Sequence, residues 1–370
     1  MHEGSLADEL HSIGSAHGLD EVGFCSAHVF AETRRALHER KAAGLHADMQ
    51  FTYRNPDRST DPGRALPGAR SIVVGARSYR RLSAEDEATA AGNARVAEYV
   101  WEPPYTSLRA ALDAVAAHLT EHGWRTRVLI DDNALVDRAA AHRAGIGWWG
   151  KNSNLLLPGR GSRFVLGSVV TDAPIAGTAE PLADQCGPCT KCVVACPTGA
   201  IVADGVIDSG RCLAWLVQAA GPFPREYRVA LGDRIYGCDD CQSTCPPNVI
   251  HDRNDEPQLT TGRSAVPVEE ILTLGDDELL DRFGSWYIPR REPRYLRRNA
   301  LVVLANVADP DSPVTRSLVE RHLRSPDEIE RAHAVWAAHR LGYDDQLDAM
   351  PADASDLVND ELAAVGRTVR

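Results

Sequence analysis

Seven of the nine cysteines fall into two phrases that each end in Cys-Pro: Cys186-x2-Cys189-x2-Cys192-x3-Cys196-Pro197 and Cys238-x2-Cys241-x3-Cys245-Pro246. An iron–sulfur cube needs a thiolate at each of four corners, and a short loop wraps three corners only when its cysteines recur about every third residue. The fourth ligand comes from elsewhere; in two-cluster ferredoxins the last cysteine of a phrase reaches across to the other cube. On that rule Cys186, Cys189, Cys192 and Cys245 hold one [4Fe-4S] cluster, and Cys196, Cys238 and Cys241 hold three corners of a second. Cys212, between the phrases, supplies the missing corner. The chain therefore reads as a mover of single electrons. Zinc ribbons and disulfides are the alternatives, but zinc knuckles use paired Cys-x2-Cys and tolerate His, which leaves the third and fourth cysteines of the first phrase without a purpose. The ninth cysteine, Cys25, lies in the apolar stretch Val-Gly-Phe-Cys25 and reads as a buried, unreactive thiol.

At 370 residues the chain has room for two or three domains with substantial cores. No stretch reaches the length of a membrane span, and the first ten residues carry acids and no apolar signal region. A cytoplasmic monomer is expected, since reduced thiols persist there. A net charge of −12 argues against wholesale nucleic-acid binding, but it conceals a local basic run. Between Arg282 and Arg298 stand six arginines, one acid and the aromatics Trp286, Tyr287 and Tyr295. Guanidinium groups reach phosphates and rings stack on unpaired bases, so Arg290, Arg291, Arg294, Arg297 and Arg298 are candidate RNA contacts. The bland alternative is a loop whose arginines pair with the acidic surface.

Along the chain, helices with apolar faces over 6–17, 107–122 and 135–144 alternate with strands over 71–76, 128–130 and 164–171. This pattern predicts an α/β domain over 1–175, with Asp131 at the C-terminal end of a strand, where open α/β sheets place their chemistry. A ferredoxin-like domain over 176–250 follows, then a basic linker over 251–298. Three apolar-faced helices over 299–345 resemble HEAT-type repeats. An acidic tail over 346–370 is expected to be loose.

Several phrases together resemble the epoxyqueuosine reductase family, tRNA-modifying relatives of the reductive dehalogenases. They are Asp208-x2-Arg211-Cys212, Gly221-Pro222-x-Pro224-x-Glu226, Gly232-x-Arg234-Ile-Tyr-Gly-Cys-Asp-Asp-Cys-Gln242, Gly147-Trp-Trp-Gly-Lys-Asn-Ser-Asn-Leu-Leu156, Arg58-x2-Asp61-Pro62 and Leu296-x-Arg298-Asn299. The resemblance implies a corrinoid enzyme in which cobalamin lies in the N-terminal domain beside a cluster. Electrons pass through two [4Fe-4S] clusters to cobalt, from an external donor of flavodoxin or ferredoxin type. The epoxide of a modified base in the tRNA anticodon loop becomes an alkene, with an acid at a strand end donating a proton. By family position that acid is Asp131, and Arg58, Tyr99, Lys151, Asn152 and Asn154 line the same pocket. Asp239 and Asp240, inside a cluster loop, either meet the cofactor or cap the loop.

The residues allow other readings. Asp132 competes with Asp131, because neighbouring side chains on a strand point to opposite faces. Either acid could instead cap the following helix. The sequence departs from the family at Tyr99-Val-Trp-Glu, at Asp131-Asp-Asn-Ala134 and at Ala219. A paralogue acting on another epoxide, halide or nucleoside, or a ferredoxin-like carrier without cobalamin, would share the cysteine phrases.

Overall fold

The computed structural model describes residues 5–79, 92–101, 104–177, 180–254 and 263–367. Contacts divide the chain into two units. One comprises Met1–Leu82, Glu98–Gly210 and Asp239–Gln258; the other comprises Ser83–Ala97, Arg211–Cys238 and Leu259–Arg370. The segment 176–250, expected as one piece, is thus shared: six of the eight cluster cysteines belong to the first unit, and Cys212 and Cys238 to the second.

The first unit is built on a four-stranded sheet in the order Glu21–Ser26, Ser71–Ser78, Phe164–Thr171, Thr126–Ile130. Every neighbouring pair is antiparallel, which corrects the α/β expectation to an α+β sheet. Alternating strands and helices do not distinguish the two arrangements, since a helix inserted between strands need not be a crossover. Along Ser71–Ser78 the side chains alternate between two cores, as a period of two requires. Ile72, Val74 and Ala76 face a core with Leu129, Leu135 and Ala139 to Ala141. Val73 and Val169 face the other, against Leu108, Leu112, Val115 and Leu119 of the helix Pro104–Glu121. That helix sits close because Gly167 has no side chain: a Cβ there would lie 2.6 Å from a Leu112 methyl. The helix Leu6–Ala16 opens with a capping box between Ser5 and Asp8 and buries Leu10 in the same core.

In the second unit, the strand Asn93–Val96 lies between Arg234–Tyr236, parallel to it, and Ala265–Pro267, antiparallel. The helices Arg294–Val307, Pro313–Leu323 and Glu328–Leu341 follow, the first starting five residues earlier than the sequence suggested. Arg294–Val307 is apolar over most of its surface and packs on Glu328–Leu341. The acidic tail is not loose over its described part. Asp356–Ala364 is a helix that packs on Glu328–Leu341 through buried Val358 and Leu362. It carries Glu361, fully buried, onto Arg228: Nη1 donates to Oε1 at 2.7 Å and Nη2 to Oε2 at 3.2 Å. Hydropathy hid this anchor, because a paired buried acid looks the same in sequence as a solvated one.

His333 completes the cluster. Its Nδ1 donates to the Ile329 carbonyl at 2.7 Å, while Nε2 accepts from the Phe223 amide at 3.0 Å. That pattern fixes a neutral ring, and burial, then the Arg228 charge, hold its pKa well below the usual 6.5. An unfolded chain takes up this proton as pH falls through about 6.5, whereas the folded chain does not. Stability is therefore present above that pH and declines below it. We predict that the urea midpoint drops between about pH 7.5 and about pH 5.5, and that His333→Gln flattens the dependence. Glu361→Ala leaves Arg228 charged and unpaired, and should cost about 3–5 kcal/mol of unfolding free energy by urea denaturation.

Candidate active site and cluster segment

The strand Thr126–Ile130 ends at two aspartates that the structure assigns different tasks. Asp132 Oδ1 accepts from the Ala134 amide at 2.8 Å, closing a local turn. Asp131 accepts no hydrogen bond among the described residues, and its backbone sits in the left-handed region at φ 47°. Such a conformation costs a non-glycine residue on the order of 1 kcal/mol and persists only where surrounding structure imposes it. Here the imposition is visible: Ser59 Oγ donates to the Asn133 carbonyl at 2.8 Å, and Arg138 Nη1 donates to the Ser153 carbonyl at 2.6 Å. The sequence left Asp131 and Asp132 as competitors; the hydrogen bond of Asp132 separates them.

Asp131 is solvent-exposed, yet desolvation, then the Asp132 charge, raises its pKa. Arg138 is likewise exposed, and burial lowers its pKa. Side chains that reach water while being crowded by protein line a recess. The charges felt by Arg138 identify its neighbours as Asp137, Tyr105, Tyr53 and Arg40. Asp137 Oδ1 is buried without a hydrogen-bond partner among the described residues, and burial followed by the Asp131 charge pushes its pKa well up. Sequence reading missed Asp137 and Arg138, because an acid and a base opening a helix look like ordinary surface charges.

The strands Trp148–Trp149 and Leu155–Leu156 pair antiparallel around a tight turn. Gly150 is required there, since a Cβ would lie 2.3 Å from a Leu156 methyl. The turn ties the recess to the cluster segment. Asn152 is buried; its Nδ2 donates to the Cys241 carbonyl at 3.2 Å, and its Oδ1 accepts from the Asn154 amide at 3.2 Å. Lys151 pairs with Asp204 at 3.2 Å, and its carbonyl accepts from the Gly205 amide at 3.0 Å. These three residues, expected to line the cofactor pocket, are engaged in holding the loops together.

The same turn reaches the first cysteine phrase. Burial raises the Cys186 pKa, while hydrogen bonding from the Lys151 backbone pulls it down. Trp148 packs with Leu156 and Cys245 in one apolar cluster. Burial, then the proximity of Cys192, Cys186 and Cys189, pushes the Cys245 thiol up to about 11. Four sulfurs thus stand within electrostatic reach of one another, three from the first phrase and one from the end of the second. Without cation charge they resist becoming thiolates together; iron relieves that repulsion, so the donor set fits a cluster. Cys196 Sγ accepts from the Ala200 amide at 3.2 Å, the kind of hydrogen bond that tunes a ligand sulfur. Cys25 is buried at 2% exposure, and burial raises its thiol to about 12, as expected of an inert core residue.

The second phrase is pinned to the sheet by polar contacts. Asn248 Oδ1 accepts from the Ser162 amide at 2.7 Å, and Ser162 Oγ donates to Gln242 at 2.9 Å. Gly161, at φ 73°, makes room, because a Cβ would fall 1.8 Å from Asn248 Oδ1. Arg163 bridges Glu98 at 2.9 Å and Asp252 at 2.6 Å. Asp239 accepts from the Glu98 amide at 2.8 Å and from Gln242 Nε2 at 3.1 Å, which favours its loop-capping alternative. Asp240 opens the short helix Asp240–Ser243. Tyr99 follows Glu98 in a single 3-10 turn, Glu98–Val100. Arg58 is exposed on the short helix Pro56–Ser59, whose Ser59 holds the Asp131 loop.

The basic run of the second unit is smaller than its sequence. Arg298 is 0% exposed and gives its guanidinium to the carbonyls of Ala219, Gly221 and Leu216 and to Asn299 Oδ1. It is a buried strut, which corrects its assignment to RNA. Arg297 pairs with Asp276 and Glu330, and Arg294 with Glu292 and Asp327. Trp286 stacks on Tyr236 and Tyr295 is buried. Arg290, Arg291 and Tyr287 remain exposed, and both arginines have positive φ, at 52° and 56°. Sequence counts arginines; it does not show which acids and carbonyls have already taken them.

Comparison with known proteins agrees with this architecture. Residues 185–248 match the family model for a 4Fe-4S double cluster binding domain. The epoxyqueuosine reductase of Bacillus cereus is 33% identical over 348 residues, covering 92% of this chain and 90% of the relative. That of Bacillus subtilis is 32% identical, covering 92% and 89%. Among solved structures, an epoxyqueuosine reductase with an epoxyqueuosine-modified tRNA-Tyr stem loop superposes at a TM-score of 0.87 and 28% identity, covering 97% of each chain. The Bacillus subtilis enzyme with its catalytic aspartate loop swung out of the active site superposes at 0.85, with 28% identity and coverage of 97% and 98%. No helix among the described residues is long and apolar enough to cross a membrane. Its oxidoreductase cluster segment and its near full-length likeness to these enzymes establish that the chain belongs to the epoxyqueuosine reductase family.

Proposed function

We propose that this chain reduces epoxyqueuosine in the anticodon loop of tRNA to queuosine, with Asp131 as the proton donor. The observation that carries the assignment is an acid on a strained backbone, free of capping duty, with a raised pKa, at the edge of a recess braced against the cluster segment. A bare electron carrier has no use for such an acid.

The reaction takes up two electrons and two protons, removes the epoxide oxygen as water and leaves an alkene. Cys186, Cys189, Cys192 and Cys245 hold one [4Fe-4S] cluster in this reading, and the spacing of the phrases gives the other to Cys196, Cys212, Cys238 and Cys241. Cobalamin, if bound beside Asp131, would supply the low-potential metal chemistry that reduction of an epoxide requires. The residues beside Asp131 suit a polar ligand: Asp137 Oδ1 is buried without a partner among the described residues, and Arg138 feels the charges of Asp137, Tyr105, Tyr53 and Arg40. Arg58, at the helix that braces the Asp131 loop, and Tyr99 belong to this side of the unit. A donor of flavodoxin or ferredoxin type feeds the clusters from outside.

Opening an epoxide develops negative charge on oxygen, which is a poor leaving group until protonated. A carboxyl with an ordinary pKa is ionised near neutrality and has no proton to give. Desolvation and the Asp132 charge shift Asp131 toward its protonated form, and the absence of a hydrogen bond from a backbone amide leaves its oxygen available. The Asp132 charge acts on Asp131 and disfavours its ionisation. On the tRNA side, Arg290 and Arg291 offer phosphate contacts and Tyr287 a stacking face.

Asp131→Asn should retain iron at about eight per chain and lower turnover on epoxyqueuosine tRNA by about 10²–10⁴-fold. Asp132→Asn, whose amide oxygen still accepts from Ala134, should change turnover by less than about tenfold. Equal losses in the two variants would refute the division of labour. Replacing Arg290 and Arg291 together by Ala should weaken tRNA binding and lower the slope of log affinity against log salt by about 0.7 per phosphate contact removed. An unchanged slope would take the tRNA off this loop.

A further inference from the structure

A group of metal-ligating side chains stands apart from the clusters and the recess. His118 and His122 lie four residues apart at the end of the helix Pro104–Glu121, with ring centroids 4.4 Å apart. Glu9, on the helix Leu6–Ala16, brings Oε2 to 3.0 Å from His118 Nε2. The three potential ligand atoms all lie within 4.8 Å of one another. We infer that Glu9, His118 and His122 form a zinc site that clamps the first helix to Pro104–Glu121.

Two details favour a metal over a plain ion pair. His122 Nδ1 faces the His118 carbonyl at 2.8 Å and must donate to it, which leaves the lone pair on Nε2. Donation from the second ring nitrogen to a carbonyl is the usual way a ligand histidine is oriented and made more basic. Moreover, the two imidazole rings lie 4.4 Å apart with the Glu9 carboxylate against one of them. His118, in the last turn of its helix, and His122, one residue past the helix end, repeat the four-residue spacing of helical zinc motifs, and a carboxylate from a second helix adds the third ligand. Two imidazoles and one carboxylate suit zinc, with a water in the fourth position.

The consequence is mechanical. Leu10 and Leu119 already bury the two helices against one core, and a metal bridging Glu9 to His118 and His122 would close a long loop of chain. Binding to the folded state alone would stabilise it by mass action.

The test uses the full chain with both clusters reconstituted anaerobically, so that the cluster cysteines are occupied by iron. Zinc chloride is titrated against a chromophoric chelator, with iron measured alongside. One zinc per chain beyond the cluster iron is expected. His122→Ala and Glu9→Gln should each weaken it by about tenfold or more, leaving iron content and turnover unchanged. Zinc should also slow amide exchange across Leu6–Ala16 in the parent chain and leave it unchanged in His122→Ala. Equal zinc affinity in the parent and His122→Ala, or no zinc bound at micromolar concentration, would overturn the site.

Discussion

Four thiols that repel one another's ionisation set the terms for the first unit. Cys186, Cys189 and Cys192 arrive on a single short loop; Cys245 arrives from more than fifty residues later and is buried against Trp148 and Leu156. Such a gathering is unfavourable unless something cationic sits among the sulfurs, so the fold must hold the second phrase in place by other means. It does so with a run of buried polar contacts: Asn152 on the Cys241 carbonyl, Asn248 on Ser162, Asp239 on the Glu98 amide and Arg163 on Glu98 and Asp252. Each is a satisfied hydrogen bond or ion pair in a place where an unsatisfied one would cost about 1–3 kcal/mol.

The turn that carries Asn152 also meets the helix that follows the Asp131 loop. The turn Gly150 to Asn154 touches the cluster segment through Asn152 and Lys151, and its Ser153 carbonyl accepts from Arg138 on the helix Asp137–Arg143. The Asp131 loop itself is held by Ser59 Oγ, which donates to the Asn133 carbonyl.

What the sequence made legible was local and repetitive. The cysteine phrases are legible because a cube dictates spacing over a few residues, and the strands and helices of the first unit because burial has a period. Tertiary pairing was not legible. Nothing in the alternation of strands and helices distinguished the antiparallel sheet from an α/β one. Arginine content promised five phosphate contacts, but Arg298 is spent on carbonyls and Arg294 and Arg297 on acids. The acidic tail concealed Glu361, whose partner Arg228 lies 133 residues away in the chain. The loop Gly147 to Asn154 was read through the family as a cofactor wall; the contacts of Asn152 with the Cys241 carbonyl and of Lys151 with Asp204 were not legible from its residues.

The central claim is that thiolate-held clusters and a protonated Asp131 together remove an epoxide oxygen from tRNA. The most direct test is anaerobic turnover on tRNA bearing epoxyqueuosine, with and without added cobalamin, read by mass spectrometry of the released nucleosides. The account predicts conversion to queuosine with the loss of one oxygen, dependent on cobalamin and on reduced clusters. Unaltered epoxyqueuosine in the presence of fully reconstituted, reduced and cobalamin-loaded protein would contradict it.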